Sequence, residues 1–192
     1  MDANTAAFLR VLDAKDDSTG GGTASAVAGA MAAALAGMVS RLSVGKQGME
    51  PETFYREIGG EAERLAAELF DGGRQDSEAF DAVMSAFRLP KGTNEEKAAR
   101  SRAIQEATVR ATRVPLANAE RVGRALELAA RLKGRSNPNA ASDLTCAQAL
   151  GRAALAGCLA NVEINLAGIR DEKVRSELAA RAAVLREAHG LG

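Results

Sequence analysis

The run from Ala24 to Leu42 holds one charged residue, Arg41, and is otherwise mostly Ala with Gly, Met and Val. A helix so short of polar side chains must be covered around most of its circumference, and this constrains the fold more than any other stretch. Gly29, Ala33 and Gly37 recur every four residues, a small-residue ridge that lets another helix approach closely. Lipid or protein could cover it. The charge-free part from Thr23 to Val39 is 17 residues, the low limit for crossing a bilayer, and consists mainly of Ala rather than Leu, Ile or Phe. It therefore reads as a central buried helix, within its own fold or in a subunit interface.

Leu144 to Leu166 repeats this character with Ala149, Gly151, Ala153, Ala156, Gly157 and Ala160, so the two runs are expected to pack on each other. Helical periodicity also marks Thr5–Lys15 (Phe8, Leu9 and Leu12 inward), Pro51–Phe70, Asp76–Leu89 and Asp171–His189. A further helical segment is expected from a Thr93/Glu96 capping box to Lys133. Pro115 should break or kink it near Val114. No strand pattern is present. The expectation is an all-α helical bundle, one domain over residues 1–192, with two long Ala/Gly-rich buried helices that a homodimer would help to cover.

Lys plus Arg and Asp plus Glu number 25 each, so no global field draws the chain to nucleic acid or to an anionic membrane. Cys146 and Cys158 lie about 18 Å apart along one expected helix, beyond disulfide reach. Two unpaired thiols, and no secretory pattern at Met1-Asp2-Ala3-Asn4, lead to the expectation of a cytoplasmic protein. The sole histidine is His189, near the C-terminal end. A Ser-His-Asp triad or a His-rich metal site is therefore not expected, and carboxylates, lysines, amides and hydroxyls are left to carry any chemistry.

Among these Asp76 stands out. Phe80, Val83, Met84 and Phe87 form one apolar stripe, and Asp76, one turn earlier, falls on the same side. Two readings remain open: an N-cap following Gly72-Gly73, or a general acid or base whose pKa is raised in a drying pocket. Gly20-Gly21-Gly22, expected as a turn before the long apolar helix, is open in the same way. It is either a tight turn or a set of backbone N–H groups at a helix N-terminus suited to an anion or carbonyl. Asn161 and Asn165 share a side of the second apolar helix, as a satisfied polar pair or as site amides.

Taken in order, Gly20-Gly21-Gly22-Thr23-Ala24, Gly45-Lys46, Asp76-x-Glu78-Ala79-Phe80, Arg88-Leu89-Pro90-Lys91, Glu95-Glu96-Lys97, Val114-Pro115-Leu116, Gly134 with Asn137-Pro138, Ser142-Asp143 and Asn161-Val162-x-Ile164-Asn165-Leu166 resemble the cyclodeaminase domain of the formiminotransferase-cyclodeaminase family. That family includes methenyltetrahydrofolate cyclohydrolases. The resemblance runs from about Phe8 to Asp171. It implies an all-helical dimer acting on a reduced folate, with no cofactor beyond that tetrahydrofolate substrate, no metal, and a separate formiminotransferase as a partner. Its catalytic aspartate falls on Asp76. Lys46 would face the folate's glutamate tail, Gly20, Gly21 and Gly22 would hold a pterin or glutamate oxygen, and Ser142, Asp143 and Asn165 would orient the pterin edge or the attacking atom. Formimidoyltetrahydrofolate cyclodeaminase is the favoured activity, methenyltetrahydrofolate cyclohydrolase the alternative, and a non-catalytic folate-binding or dimeric helical module the contrasting class.

Overall fold

The computed structural model describes residues 19–191, so the helix expected over Thr5–Lys15 lies outside the described residues. Five helices follow: α1 (Gly21–Ser43), α2 (Glu52–Phe87), α3 (Asn94–Leu132), α4 (Ala141–Leu166, entered through a 3-10 turn at Pro138–Ala140) and α5 (Glu172–Ala188). There is no strand among the described residues. The α1 helix lies between α2 and α4 with α3 behind it, and α5 covers α3 and α4. By length and composition α1 could cross a membrane, yet it is packed among the other helices.

Small residues set the spacing. Ala26, Ala33, Ala36 and Val39 of α1 meet a core that includes Ile58, Leu65 and Leu69 of α2, Leu116, Val122 and Leu128 of α3, and Leu155, Leu159 and Val162 of α4. A Cβ on Gly29 would stand 2.5 Å from Val122 Cγ2. α1 and α4 run antiparallel, with Gly157 against Ser25 and Gly151 against Ala32.

Three expectations about element boundaries are corrected. Gly21 and Gly22 belong to the first turn of α1 rather than to a turn before it, and Gly20 is the N-cap. The break expected at Gly72-Gly73 does not occur, because α2 continues through both glycines without interruption. Each mid-helix glycine costs about 1 kcal/mol relative to Ala, and here each admits a close neighbour. A Cβ on Gly72 would collide with the buried Asn118 amide, and one on Gly73 would lie 3.4 Å from Thr23. Asp76 is therefore inside a helix, not an N-cap.

The third correction is at Pro115, which sits within an unbroken α3. Proline removes the N–H that would bond the carbonyl four residues earlier. Asn165 Nδ2 of α4 donates to that orphaned carbonyl, Ala111 O, at 2.8 Å. The capping box forms as expected, with Glu96 N–H donating to Thr93 Oγ1 at 3.2 Å and Thr93 N–H to Glu96 Oε2 at 3.0 Å.

The apolar stripe after Asp76 also differs from expectation. Phe80 and Phe87 are exposed, Val83 and Met84 half-buried, and the buried positions are Ser77, Ala79 and Ala86. Since Gly22 of α1 meets Asp76, the antiparallel α2 runs on beyond the end of α1, where α3 is its helical neighbour.

Candidate active site

Three helices meet at Asp76. α2 supplies the carboxyl, α1 presents its first turn to it, and α4 passes beneath with Cys158. Gly22 is required: a Cβ there would overlap the Asp76 carboxylate itself. Thr23, fully buried, points its hydroxyl at Gly73 O (3.1 Å) and at Asp76 Oδ2 (3.5 Å), and its backbone N–H also bonds the carboxylate. Thr19 and Ser77 hydroxyls lie 3.4 Å apart one step further along α2.

The electrostatics set two effects against each other. Burial disfavours the charged carboxylate, while the Thr23 hydroxyl and N–H, at the positive end of α1, favour it. Burial wins, and the Asp76 carboxyl is pushed up to about 6 from an ordinary 3.8. Burial, with the nearby Asp76 charge adding to it, also pushes the Cys158 thiol up to about 12, so the floor of the site is a neutral thiol. Asp76 is thus a carboxyl group able to take or give a proton near neutrality, and among the described residues its site neighbours Thr23 and Cys158 are neutral.

Among the described residues the rim is formed by polar, uncharged groups. Ser25 Oγ donates to Gly21 O (2.6 Å), and Asn161 Nδ2 donates to Gly157 O (2.9 Å) while standing 3.6 Å from where a Gly21 Cβ would be. Gly20 and Gly21 are exposed beside them. Among the described residues no group of three or more His, Cys, Asp or Glu side chains is placed to hold a metal ion.

Within one chain the expected site residues fall into two sets. Gly20, Gly21, Gly22 and Asp76 are together. Lys46 lies in the turn after α1, about 35 Å from the glycines along a 23-residue helix. Ser142 and Asp143 open α4 at that same far end, where Asn137 N–H donates to Ser43 Oγ (2.8 Å). Asn165 is nearer to Asp76, but its amide nitrogen is engaged by Ala111 O. Sequence reasoning did not single out Thr23, Ser77, Cys158 or Ser25 as site residues. The available signal was Thr23 itself, a hydroxyl in the first turn of a helix with almost no other polar groups. The cavity of about 750 Å³ between α3, α4 and the end of α5, lined by Leu126, Lys133, Arg152 and His189, does not include Asp76.

An all-α bundle with a half-buried carboxyl held by the first turn of an Ala/Gly-rich helix defines a class of helical enzyme scaffold. The chain belongs to the formiminotransferase-cyclodeaminase family, whose model matches residues 4–184. It is 40% identical over 171 residues to the methenyltetrahydrofolate cyclohydrolase of Methylorubrum extorquens, covering 88% of this chain and 82% of that one. It is 34% identical to the formimidoyltransferase-cyclodeaminase of Gallus gallus over 89% of this chain, but spans only 32% of that longer protein. The crystal structure of formiminotetrahydrofolate cyclodeaminase from Thermotoga maritima superimposes with a TM-score of 0.84 at 29% identity, covering 95% of this chain and 88% of that one. The chain is accordingly a folate one-carbon enzyme of the cyclodeaminase/cyclohydrolase type.

Proposed function

We propose that this protein is a methenyltetrahydrofolate cyclohydrolase in which Asp76 moves the proton. The observation that carries this reading is the half-buried Asp76 carboxyl, poised near neutrality against the first turn of α1. Water attacks the cationic carbon joining N5 and N10, and the Asp76 carboxylate takes its proton. The tetrahedral adduct then collapses with cleavage of the carbon–N5 bond, and the proton of its hydroxyl is released to solvent as the C=O forms. Asp76 returns the proton to N5, leaving a formyl group on N10. The ionised carboxylate also attracts the cationic folate, which contributes to binding rather than to the chemical step.

The direction is supported by the Methylorubrum relative, most of whose length this chain spans. This reverses the preference drawn from the sequence motifs. The second reading is the cyclodeaminase, favoured by the Thermotoga structure. There N10 attacks the formimidoyl carbon, Asp76 takes the N10 proton, and it passes it to the departing ammonia. A separate formiminotransferase would then supply the substrate. In either case the reaction needs no cofactor beyond the folate, and the two unpaired cysteines favour the cytoplasm.

We also infer a two-fold dimer through the outer face of α1, where Ala24, Ala28, Met31, Ala34, Leu35 and Met38 leave no exposed charge before Arg41. Antiparallel packing there would carry Lys46, Ser142 and Asp143 of one copy toward the glycines and Asp76 of the other. The experiment is to mix purified protein with each folate and follow absorbance of the methenyl bridge. Loss of supplied methenyltetrahydrofolate above the buffer rate marks the hydrolase, and appearance of the bridge from the formimidoyl compound marks the deaminase. Silence on both would refute an enzymatic role.

A further inference from the structure

We propose that Thr23 is a positioning residue that controls the proton affinity of Asp76, its one hydroxyl proton turning to the carboxylate when Asp76 is ionised and to the Gly73 carbonyl when Asp76 is protonated. The geometry carries this. Thr23 Oγ1 stands 3.1 Å from Gly73 O and 3.5 Å from Asp76 Oδ2, and a hydroxyl has a single proton, so only one acceptor is served at a time. The residue is fully buried, so water does not compete for that proton. Its methyl group packs on Gly73, at 3.4 Å from the position of a Cβ there, which fixes the oxygen and leaves the hydrogen free to turn.

The two acceptors are unequal in need. Gly73 O lies inside α2 and has the N–H of Ser77 as its ordinary helical partner, so it loses little when Thr23 turns away. The carboxylate gains a charge-assisted bond, which is stronger than a neutral one. When Asp76 takes up a proton, the hydroxyl oxygen can accept from it while donating to Gly73 O. Either protonation state is served by a turn of the hydroxyl and a small closing of the 3.5 Å gap to Asp76 Oδ2, as suits a group that must cycle between them.

Among the described residues no ionised side chain competes for this role. α1 has no titratable residue from Gly21 to Ser40, α4 presents the neutral Cys158 thiol, and Arg74 of α2 is held in ion pairs with Asp71 and Glu78. Of the described groups of α3, none shifts the carboxyl; apart from burial, the two Thr23 groups do.

The test is carbon-13 titration of the Asp76 carboxyl in the full chain labelled with [γ-13C]aspartate, the signal being assigned by its loss in Asp76→Asn. Removing a donor to the charged form raises a carboxyl pKa. Thr23→Val should therefore move the midpoint upward from about 6, by about one pH unit or tenfold in proton affinity. Thr23→Ser should restore it. If Thr23→Val does not fold, Thr23→Ala reads the same quantity. An unchanged or lowered midpoint in the folded hydroxyl-free variant, or a shift in Thr23→Ser as large as in Thr23→Val, would overturn the proposal. Its kinetic consequence rests on Asp76 being the proton-transferring group: the pH–rate profile for the methenyl bridge should move with the titration. A carboxyl midpoint that shifts while the pH–rate profile stays in place would support Thr23 in this role and refute Asp76 as the proton carrier.

Discussion

Asp76→Asn should make the protein more stable at neutral pH, and the gain should fade in acid. The carboxyl ionises at 3.8 in an ordinary setting and at about 6 in the fold. Above both values the folded state carries a partly desolvated charge that the unfolded state keeps fully solvated. A difference of about 2.2 pH units at 1.36 kcal/mol each makes this cost about 3 kcal/mol. Below both values each state is protonated and the cost vanishes. The sign follows from proton counting: between the two values the folded state binds the proton and the unfolded state does not, so wild-type stability falls as pH rises through that window. Asparagine is close in size, can accept from Thr23 N–H, and does not titrate. The advantage of Asp76→Asn should therefore be about 2 kcal/mol larger near pH 8 than near pH 4.5. Urea unfolding of both proteins at both pH values measures it, and contacts changed equally at each pH cancel in the comparison. A pH-independent difference would show that burial does not penalise the Asp76 charge.

Gly22→Ala would place a methyl group in the Asp76 carboxylate, so turnover should drop at least about tenfold and stability by about 1–3 kcal/mol despite the better helix former; wild-type values in both assays would contradict the described approach of α1 to Asp76. Asn165→Ala should cost about 1–3 kcal/mol by stranding Ala111 O, and much less in a Pro115→Ala background, where the backbone N–H is restored. Additive effects of the two changes in thermal unfolding would refute that pairing. The proposed dimer should sediment at about twice 19.9 kDa. If Lys46 crosses to the partner's site, mixing inactive Asp76→Asn and Lys46→Ala subunits should recover about a quarter of wild-type turnover, since half the dimers would then hold one intact site in two; no recovery would exclude a shared site.

Periodicity in the sequence identified the helices well because apolar spacing and caps are local. The Thr93/Glu96 box, the Val174, Leu178 and Leu185 periodicity after Asp171 and the long uncharged run each name their own element. What the sequence obscured depends on partners far along the chain. Gly72 and Gly73 read as a break because a glycine's cost is local, whereas its benefit is Asn118 and Thr23, 46 and 50 residues away. Pro115 read as a break because the amide that rescues its lost hydrogen bond comes from Asn165, 54 residues from Ala111. The Phe80–Phe87 stripe read as core because periodicity does not reveal that α1 stops at the level of Asp76. At the candidate site, Asp76 was singled out as an acid on an apolar stripe, yet Phe80 and Phe87 of that stripe are exposed and it is α1 that covers the carboxyl. Thr23 and Cys158 were not singled out, since a single hydroxyl and a single thiol acquire meaning only when the fold brings them to the carboxyl.

Turnover of the methenyl bridge by wild type and Asp76→Asn, followed by absorbance under identical conditions with folate binding checked alongside, tests the central claim most directly. An amide exchanges no proton, and loss of a general acid or base costs about 10² to 10⁴ in rate. A folded Asp76→Asn protein that binds folate and turns over at least about a hundredfold more slowly, a loss of about 3 kcal/mol of transition-state stabilisation, is the predicted result. Wild-type turnover in that variant would contradict it and remove Asp76 from the mechanism.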